Sequence, residues 1–212
     1  MSIVMVGATS GSITLQEPAV AGTTVLTLPA TSGTILTTAS SGQSIPKAAL
    51  PTGSVLQVVS SVKTDSYFTS SGGAGTWQDI PGQGGSGTWS VTITPTSSTS
   101  RILLLAMLTF RNDYWGAALR FVRNSTAIAL GDSVANTFQG TTGQFWVSGN
   151  NNMTLPAHMS FFDSPATASA VVYKVQFQGN SNGSYIGRTP NQISSTDNGV
   201  YPSSIIAMEV AA

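Results

Sequence analysis

Ile102-Leu-Leu-Leu-Ala-Met-Leu-Thr-Phe110 is the stretch of this 212-residue chain that decides its fold. Successive residues of a β-strand point to opposite faces, so this run divides into two apolar sets. One set is Ile102, Leu104, Ala106, Leu108 and Phe110, and the other is Leu103, Leu105 and Met107. An antiparallel sheet normally keeps one face in water, so a strand that is apolar on both faces requires a second surface to cover it.

That second surface has two possible sources. One is another copy of the chain related by a symmetry axis, which makes Leu103, Leu105 and Met107 candidate residues of an oligomer interface. The other is a loop of the same chain that folds over the outer face. The sequence leaves both open.

Strand patterns recur on either side of this run. Val91 and Ile93 alternate with polar residues between Trp89 and Thr94, and residues 171–177 direct Val, Tyr, Val and Phe to one face. Further strands are predicted at residues 55–62, 117–123, 145–148, 159–162 and 205–210. No segment has the period and length of a helix. The pattern predicts an all-β fold whose main part is an antiparallel β-sandwich.

The first 66 residues contain no aromatic residue, whereas all seventeen aromatics lie between Tyr67 and Tyr201. Short Gly-Ser or Gly-Thr repeats with alternating apolar residues predict small strands there. A segment so poor in bulky side chains does not build a core alone. We therefore expect an N-terminal attachment arm over residues 1–40, a linker over residues 41–53 and a head over residues 54–212.

Composition narrows the possible partners. Charged residues make up 8% of the chain and the formal net charge is zero, so no basic surface for nucleic acid or for an acidic membrane is expected. Cysteine is absent, which excludes disulfides and thiolate chemistry. The N-terminus lacks the pattern of a secretory signal, and the apolar run at 102–108 is too short to span a bilayer as a helix. We expect no cofactor and no membrane insertion.

Catalytic residues are scarce. The chain has one histidine, His158, and no nucleophile-elbow or phosphate-loop motif. Asp113, Asp132, Asp163 and Asp197 are predicted in loops, where aspartate commonly caps turns, and no spaced acidic run predicts a calcium site. We predict a protein that is neither an enzyme nor a metal-binding protein.

Loops that carry aromatic side chains are the candidate binding positions. Exposed rings favour ligand contact, since sugars stack on ring faces while Arg and Asp side chains bind hydroxyl groups. The candidate receptor-binding residues are Asp113, Tyr114, Trp115, Trp146, Tyr185 and Arg188. The alternative for each ring is that it fills the core or a subunit interface.

Six stretches, at both ends and in much of the middle of the chain, carry a resemblance to a known family. They are GSITLQEPAVAGTTVLTLPATSGTILTT (11–38), IPKAALPTGSVLQVV (45–59), SVTITPTSSTSRILLLAML (90–108), ALRFVRNSTAIALGD (118–132), FFDSPATASAVVYKVQFQG (161–179) and SIIAMEVAA (204–212). The arm resembles the strand-turn module of tail fibres and related appendage proteins of tailed bacteriophages, and the head resembles C-terminal domains of phage fibres, notably those of marine and cyanobacterial phages.

The resemblance implies a non-enzymatic β-rich homotrimer that is anchored to the virion by its N-terminal arm and presents a jelly-roll-like head outward. Such a protein is made in the host cytoplasm and resides on the tail or the capsid. A short tail fibre that binds a host-surface glycan is the first interpretation. Because there is almost no shaft, the alternative is a capsid decoration or head-fibre protein that stabilises or ornaments the shell.

Overall fold

The computed structural model describes residues 3–15, 50–70, 75–113, 117–135, 137–143, 154–179, 183–189 and 199–212. The chain divides into two compact units, residues 1–45 and 46–212.

The described residues form fourteen β-strands and one short 3-10 turn at Gln83–Gly85. The strands are β1 (Ile3–Val6), β2 (Ser12–Leu15), β3 (Val55–Lys63), β4 (Tyr67–Thr69), β5 (Gln78–Asp79), β6 (Ser90–Ile93), β7 (Arg101–Asn112), β8 (Ala118–Arg123), β9 (Thr126–Ile128), β10 (Thr142–Gly143), β11 (Leu155–Asp163), β12 (Val171–Gln178), β13 (Ser184–Ile186) and β14 (Ser203–Val210). The predicted all-β class is confirmed. In the part of the chain described, no helix is long and apolar enough to cross a membrane.

The smaller unit contains an antiparallel hairpin of β1 and β2, in which Ile3 pairs with Leu15 and Val6 pairs with Ser12. Gly11 precedes β2 at a φ of 80°, a conformation that glycine adopts readily. Val4, Met5 and Val6 are between 49% and 81% exposed. A two-stranded hairpin with exposed apolar side chains is at best marginally stable alone in water.

In the larger unit the described residues form two antiparallel sheets of six strands each, which confirms the antiparallel sandwich-like fold. In the first sheet, β7 is central. Its first half pairs with β14, which pairs in turn with β3, and its last residues pair with β13, which pairs with β4. On the other side β7 pairs with β11 over nine residues.

The second sheet is centred on β12 and β8. β12 pairs with β8 along one side and with β5 and β6 along the other, while β9 and β10 pair with β8. Its inward-facing side chains meet those of the first sheet in one apolar core. Phe110 of β7 contacts Phe177 of β12 edge to face, with ring centroids 6.0 Å apart.

The alternation predicted in two strands is confirmed. In β7 the set from Ile102 to Phe110 is at most 4% exposed, and in β12 Val171, Tyr173, Val175 and Phe177 are at most 1% exposed. Lys174 and Gln176 face outward, as predicted. The strand predicted at residues 145–148 lies outside the described residues, as do the arm repeats after residue 15.

Several charged groups are buried in the head, among them Lys63, Asp163 and Glu209. Lys63 is bound by Asp65 at 2.7 Å and by the Gly82 carbonyl at 3.0 Å. Asp163 accepts hydrogen bonds from Arg123 and from the Tyr173 hydroxyl, the latter at 2.6 Å. Burial and the neighbouring Asp163 carboxylate raise the pKa of Tyr173 far above its ordinary value. The Glu209 carboxylate is fully buried and accepts a hydrogen bond from the Thr96 N–H.

Candidate interaction surfaces

The outward face of the first sheet is apolar over three consecutive rows of four residues, one residue each from β11, β7, β14 and β3. We call these twelve residues the apolar face. The rows are Phe162, Leu103, Met208 and Val58; Ser160, Leu105, Ile206 and Ser60; and His158, Met107, Ser204 and Val62. Eight of the twelve are apolar and the only ionisable member is His158, so this is not the wet face of an ordinary antiparallel sheet.

The apolar face is substantially accessible in the single chain. Phe162 and Met107 are 41% and 45% exposed, and Val58 and Val62 are 55% and 57% exposed. A depression of about 390 Å³ lies at its centre, lined by Leu105, Met107, His158, Ser160, Ser204 and Ile206. Among the described residues, therefore, no loop of the same chain covers this face.

A second surface feature lies at the C-terminal end of β7. It is on the same side of the sheet as the apolar face, because Arg111 points to the same side as Leu105 and Met107. Arg111 is 4% exposed and binds the Asp113 carboxylate through two nitrogens, at 2.8 and 2.9 Å. Tyr185 of β13 pairs with Arg111 across the sheet. These residues form one end of a compact polar and aromatic group.

Phe68 and Arg188 complete the group, which we call the ring-arginine cluster: Phe68, Arg111, Asp113, Tyr185 and Arg188. The Phe68 and Tyr185 ring centroids are 4.8 Å apart, and the Arg188 guanidinium lies 6.0 Å from the Tyr185 centroid. Phe68 is 44% exposed. The cluster thus combines an accessible ring with two cations and a carboxylate, groups that can stack on a sugar and bind its hydroxyls.

The close packing of the cluster shifts the pKa of Tyr185 and leaves little space around Gly183. Burial raises the pKa of the Tyr185 hydroxyl, and its hydrogen bond to the negative Asp113 carboxylate raises it further, while the two arginines oppose the effect. Gly183 lies beneath the group at a φ of 129°. The backbone conformation favours glycine, and a Cβ atom there would lie 3.2 Å from Asp113 Oδ2 and 3.2 Å from the Phe68 ring, close enough that both neighbours would have to move by a few tenths of an ångström.

The outward face of the second sheet has a different character. The Arg120 guanidinium donates to Gln176 Oε1 at 2.7 and 2.9 Å and lies 4.2 Å from the Trp77 ring centroid. Asp79 accepts from Gln176 and from Lys174, at 2.8 and 2.7 Å. This hydrogen-bonded polar network is typical of a solvent-facing sheet surface, so the head has one apolar and one polar outer face.

The carboxylates of the head serve mainly structural contacts. Asp65, Asp79, Asp113, Asp163 and Glu209 each accept hydrogen bonds from side chains of the same unit. Within the described ranges, no three His, Cys, Asp or Glu side chains are grouped closely enough to hold a metal ion.

The structure brings three predicted site residues together and leaves three unplaced. Asp113, Tyr185 and Arg188 lie in the ring-arginine cluster, whereas Tyr114, Trp115 and Trp146 lie outside the described residues. Leu103, Leu105 and Met107 lie on the apolar face. Sequence reasoning missed Phe68 and Arg111. Arg111 precedes Asp113 by two residues, which places both on one side of an extended strand, so this pair was detectable.

No protein-family model matches the chain, and a search of curated proteins found none that matches it.

Proposed function

We propose that this chain is a non-enzymatic structural protein of a tailed-phage virion, a short tail fibre that works as a homotrimer. Its jelly-roll-like head meets the exterior and binds a host receptor. The observation that carries the proposal is the apolar face, which no described residue covers, on a head whose opposite outer face is a polar network. A large uncovered apolar surface rimmed by polar residues is typical of a protein interface.

The N-terminal hairpin supports attachment to a second protein. Val4, Met5 and Val6 expose apolar side chains on strands that have no third neighbour among the described residues. Such a hairpin gains stability by adding to another protein's sheet edge or apolar surface. We assign this unit to the docking of the fibre on another virion protein.

The ring-arginine cluster is the proposed receptor site, and a host-surface glycan is its proposed ligand. The exposed Phe68 ring offers a stacking surface, and Arg188 and Asp113 offer hydrogen-bonding groups for hydroxyls. Three copies provide avidity, because the second and third contacts become effectively intramolecular. Each individual site can therefore be weak.

Imaging of virions with a labelled antibody fragment against the head tests the location. Label at the tail tip supports the receptor-binding fibre. A regular pattern over the shell supports the alternative, a capsid decoration protein, and absence of label from purified particles contradicts both.

Binding of the purified protein to host cells tests the site. We expect Phe68→Ala and Arg188→Gln each to weaken binding by about fivefold or more, the loss typical of a contact residue at the centre of an interface. Thr92→Ala is the matched control, since Thr92 is exposed on β6 in the other sheet. Unchanged binding of both cluster variants, with an unchanged oligomer, would remove the cluster from the proposal.

A further inference from the structure

The two outer strands of the apolar face, β3 and β11, each have a hydrogen-bonded neighbour on one side only among the described residues. β3 pairs with β14, and β11 pairs with β7. β6 of the other sheet runs near β3 without forming a ladder with it. An open edge exposes backbone donors and acceptors and so offers a template for another strand. Soluble proteins usually protect long edges with charges or prolines; residues 155–162 of β11 contain no charged residue, and their one proline, Pro156, lies near the start of the strand.

In β11, every second residue directs its backbone N–H and C=O groups to the open edge of the strand. The Gly187 N–H donates to the Thr109 carbonyl at 3.1 Å, and Gly187 follows β13, on the side of β7 opposite β11. Thr109 therefore turns its backbone away from β11, and its partner Pro156 turns away from β7. This direction explains why a proline is tolerated, since the position needs no N–H. The other β11 residues of the same alternation are His158, Ser160 and Phe162.

In β3, too, every second residue directs its backbone groups to the open edge of the strand. The backbone groups of Leu105 point away from β11, like those of Thr109. Because Leu105 pairs with Ile206, the backbone of Ile206 hydrogen-bonds to β7. Ser60 pairs with Ile206 and consequently turns its backbone to the open edge of β3. The other residues of this alternation in β3 are Leu56, Val58 and Val62. Ser160, Leu105, Ile206 and Ser60 form the middle row of the apolar face, so the two serines lie at the same level on its opposite edges.

Strand direction makes these two edges complementary. The order β11, β7, β14, β3 is antiparallel throughout and has an even number of strands, so β3 and β11 run in opposite directions. A rotation axis parallel to the strands preserves direction from one copy to the next. The β3 edge of one copy then meets the β11 edge of the next in antiparallel orientation, with no uncompensated charge on either strand edge.

We propose that the subunits of the fibre head join in this way: β3 of one copy pairs with β11 of the next, with Ser60 opposite the Ser160 of that neighbour. The three apolar faces then form a closed, three-sided prism around the axis, with rounded corners at which the sheets curve so that the β3 and β11 backbones face each other. This inference rests on the proposed homotrimer and specifies how its subunits associate.

Geometry selects three copies. Four strands about 4.8 Å apart make a face about 19 Å wide, and three such faces enclose an axis about 5.5 Å from each, near half of the roughly 10 Å between packed sheets. Four faces would lie about 9.6 Å from the axis and leave a void. Over the three rows, which span about six residues of each strand, the apolar face measures roughly 19 by 20 Å, or about 390 Å² in projection, about half of the ~800 Å² per partner in a standard interface.

Cysteine cross-linking tests the junction, because the native chain contains no cysteine. Directly opposite residues of a hydrogen-bonded pair have Cα atoms about 5.5 Å apart, within disulfide range. The double variant Ser60→Cys with Ser160→Cys should give a covalent trimer on a non-reducing denaturing gel after mild oxidation, and reduction should return it to monomer. Both serines are exposed in the single chain, so the head should fold normally.

The controls separate the possible outcomes. Ser160→Cys with Thr92→Cys places the second thiol on the other sheet and should give no covalent trimer. Efficient dimerisation of Ser160→Cys alone would indicate a two-fold pairing of β11 with itself and would overturn the inference. A trimeric mass without the 60–160 cross-link overturns the junction but leaves the proposed function intact, whereas a monomeric mass removes both.

Hydrogen exchange of the unmodified protein gives a second, independent measurement. In the trimer the amides of Val58, Ser60 and Val62 on β3, and of His158, Ser160 and Phe162 on β11, should exchange at least about tenfold more slowly than the same amides in Leu105→Lys, a variant expected not to assemble. Equal exchange in the two states contradicts the junction.

Discussion

At the residue scale, Glu209 is the side chain whose role the sequence concealed. It lies on the inward alternation of β14 and is fully buried, yet no cation contacts its carboxylate among the described residues. Instead it accepts hydrogen bonds from the Thr96 N–H and hydroxyl, both at 2.6 Å, from Gln57 and from Ser100. These bonds tie the turn before β7 to the terminal strand.

Burial alone would raise the pKa of Glu209, but the hydrogen bonds from Thr96, Gln57 and Ser100 outweigh it and hold the pKa below its ordinary value of 4.5. A group whose folded-state pKa is depressed stabilises the fold above its unfolded-state pKa. That contribution is lost as the pH falls through the folded-state value. Glu209 should therefore favour the folded head at neutral pH and cease to do so in acid.

We predict that Glu209→Gln lowers the free energy of unfolding at pH 7 by about 1 to 3 kcal/mol, because the amide leaves buried donors without a charged acceptor. Urea unfolding at one fixed protein concentration measures this, and the difference from the native protein should shrink below pH 4. Asp132→Asn, at an exposed loop position, should change stability by less than about 0.5 kcal/mol. Equal stability of native protein and Glu209→Gln at pH 7 would show that the network is not stabilising.

The sequence revealed half of this arrangement. Ile205, Ala207 and Glu209 share one alternation, so an inward-facing glutamate could be predicted from the strand pattern alone. Its partners could not, because Thr96 and Gln57 are 113 and 152 residues away along the chain. Contacts of this kind depend on the fold and leave no local pattern.

At the element scale, β7 connects the core, the apolar face and the ring-arginine cluster. Its even-numbered residues from Ile102 to Phe110 are buried in the core, whereas Leu103, Leu105, Met107 and Arg111 point to the other side. Adjacent residues of this strand should therefore affect different properties of the protein.

We predict that Leu104→Ala lowers the folding stability of the head, whereas Leu105→Lys prevents its assembly. Leu104 is fully buried, so its truncation should cost about 2 to 5 kcal/mol of folding stability. Leu105→Lys introduces a charge on the apolar face, so it should prevent assembly at micromolar concentration while the head keeps its β-sheet circular dichroism spectrum. A trimeric Leu105→Lys variant would contradict the assignment of this face.

The elements that sequence reasoning found are mainly the long ones. Alternation identified β6, β7 and β12 and located β3, β8, β11 and β14, and all of these except the four-residue β6 are at least six residues long, enough to show a period of two. β4 and β13 have three residues each, too few for an alternating pattern. Since these two strands supply Phe68 and Tyr185, the ring-arginine cluster could be predicted only in part.

At the whole-molecule scale, the proposed prism relates the two surfaces of the head. The apolar face and the ring-arginine cluster lie on the same side of the first sheet and follow one another along β7. If three apolar faces enclose the axis, three clusters surround one end of the prism, while the polar outer faces of the second sheets turn to solvent. Receptor sites grouped in this way are suited to bind several units of one glycan.

The mass of the intact protein in solution, measured by light scattering during size-exclusion chromatography from about 1 to 100 µM, tests the central claim most directly. The account predicts a species of three times the 21.8 kDa chain mass across this range. A folded species of 21.8 kDa throughout would contradict it, because the apolar face would then be stable in water without a second copy.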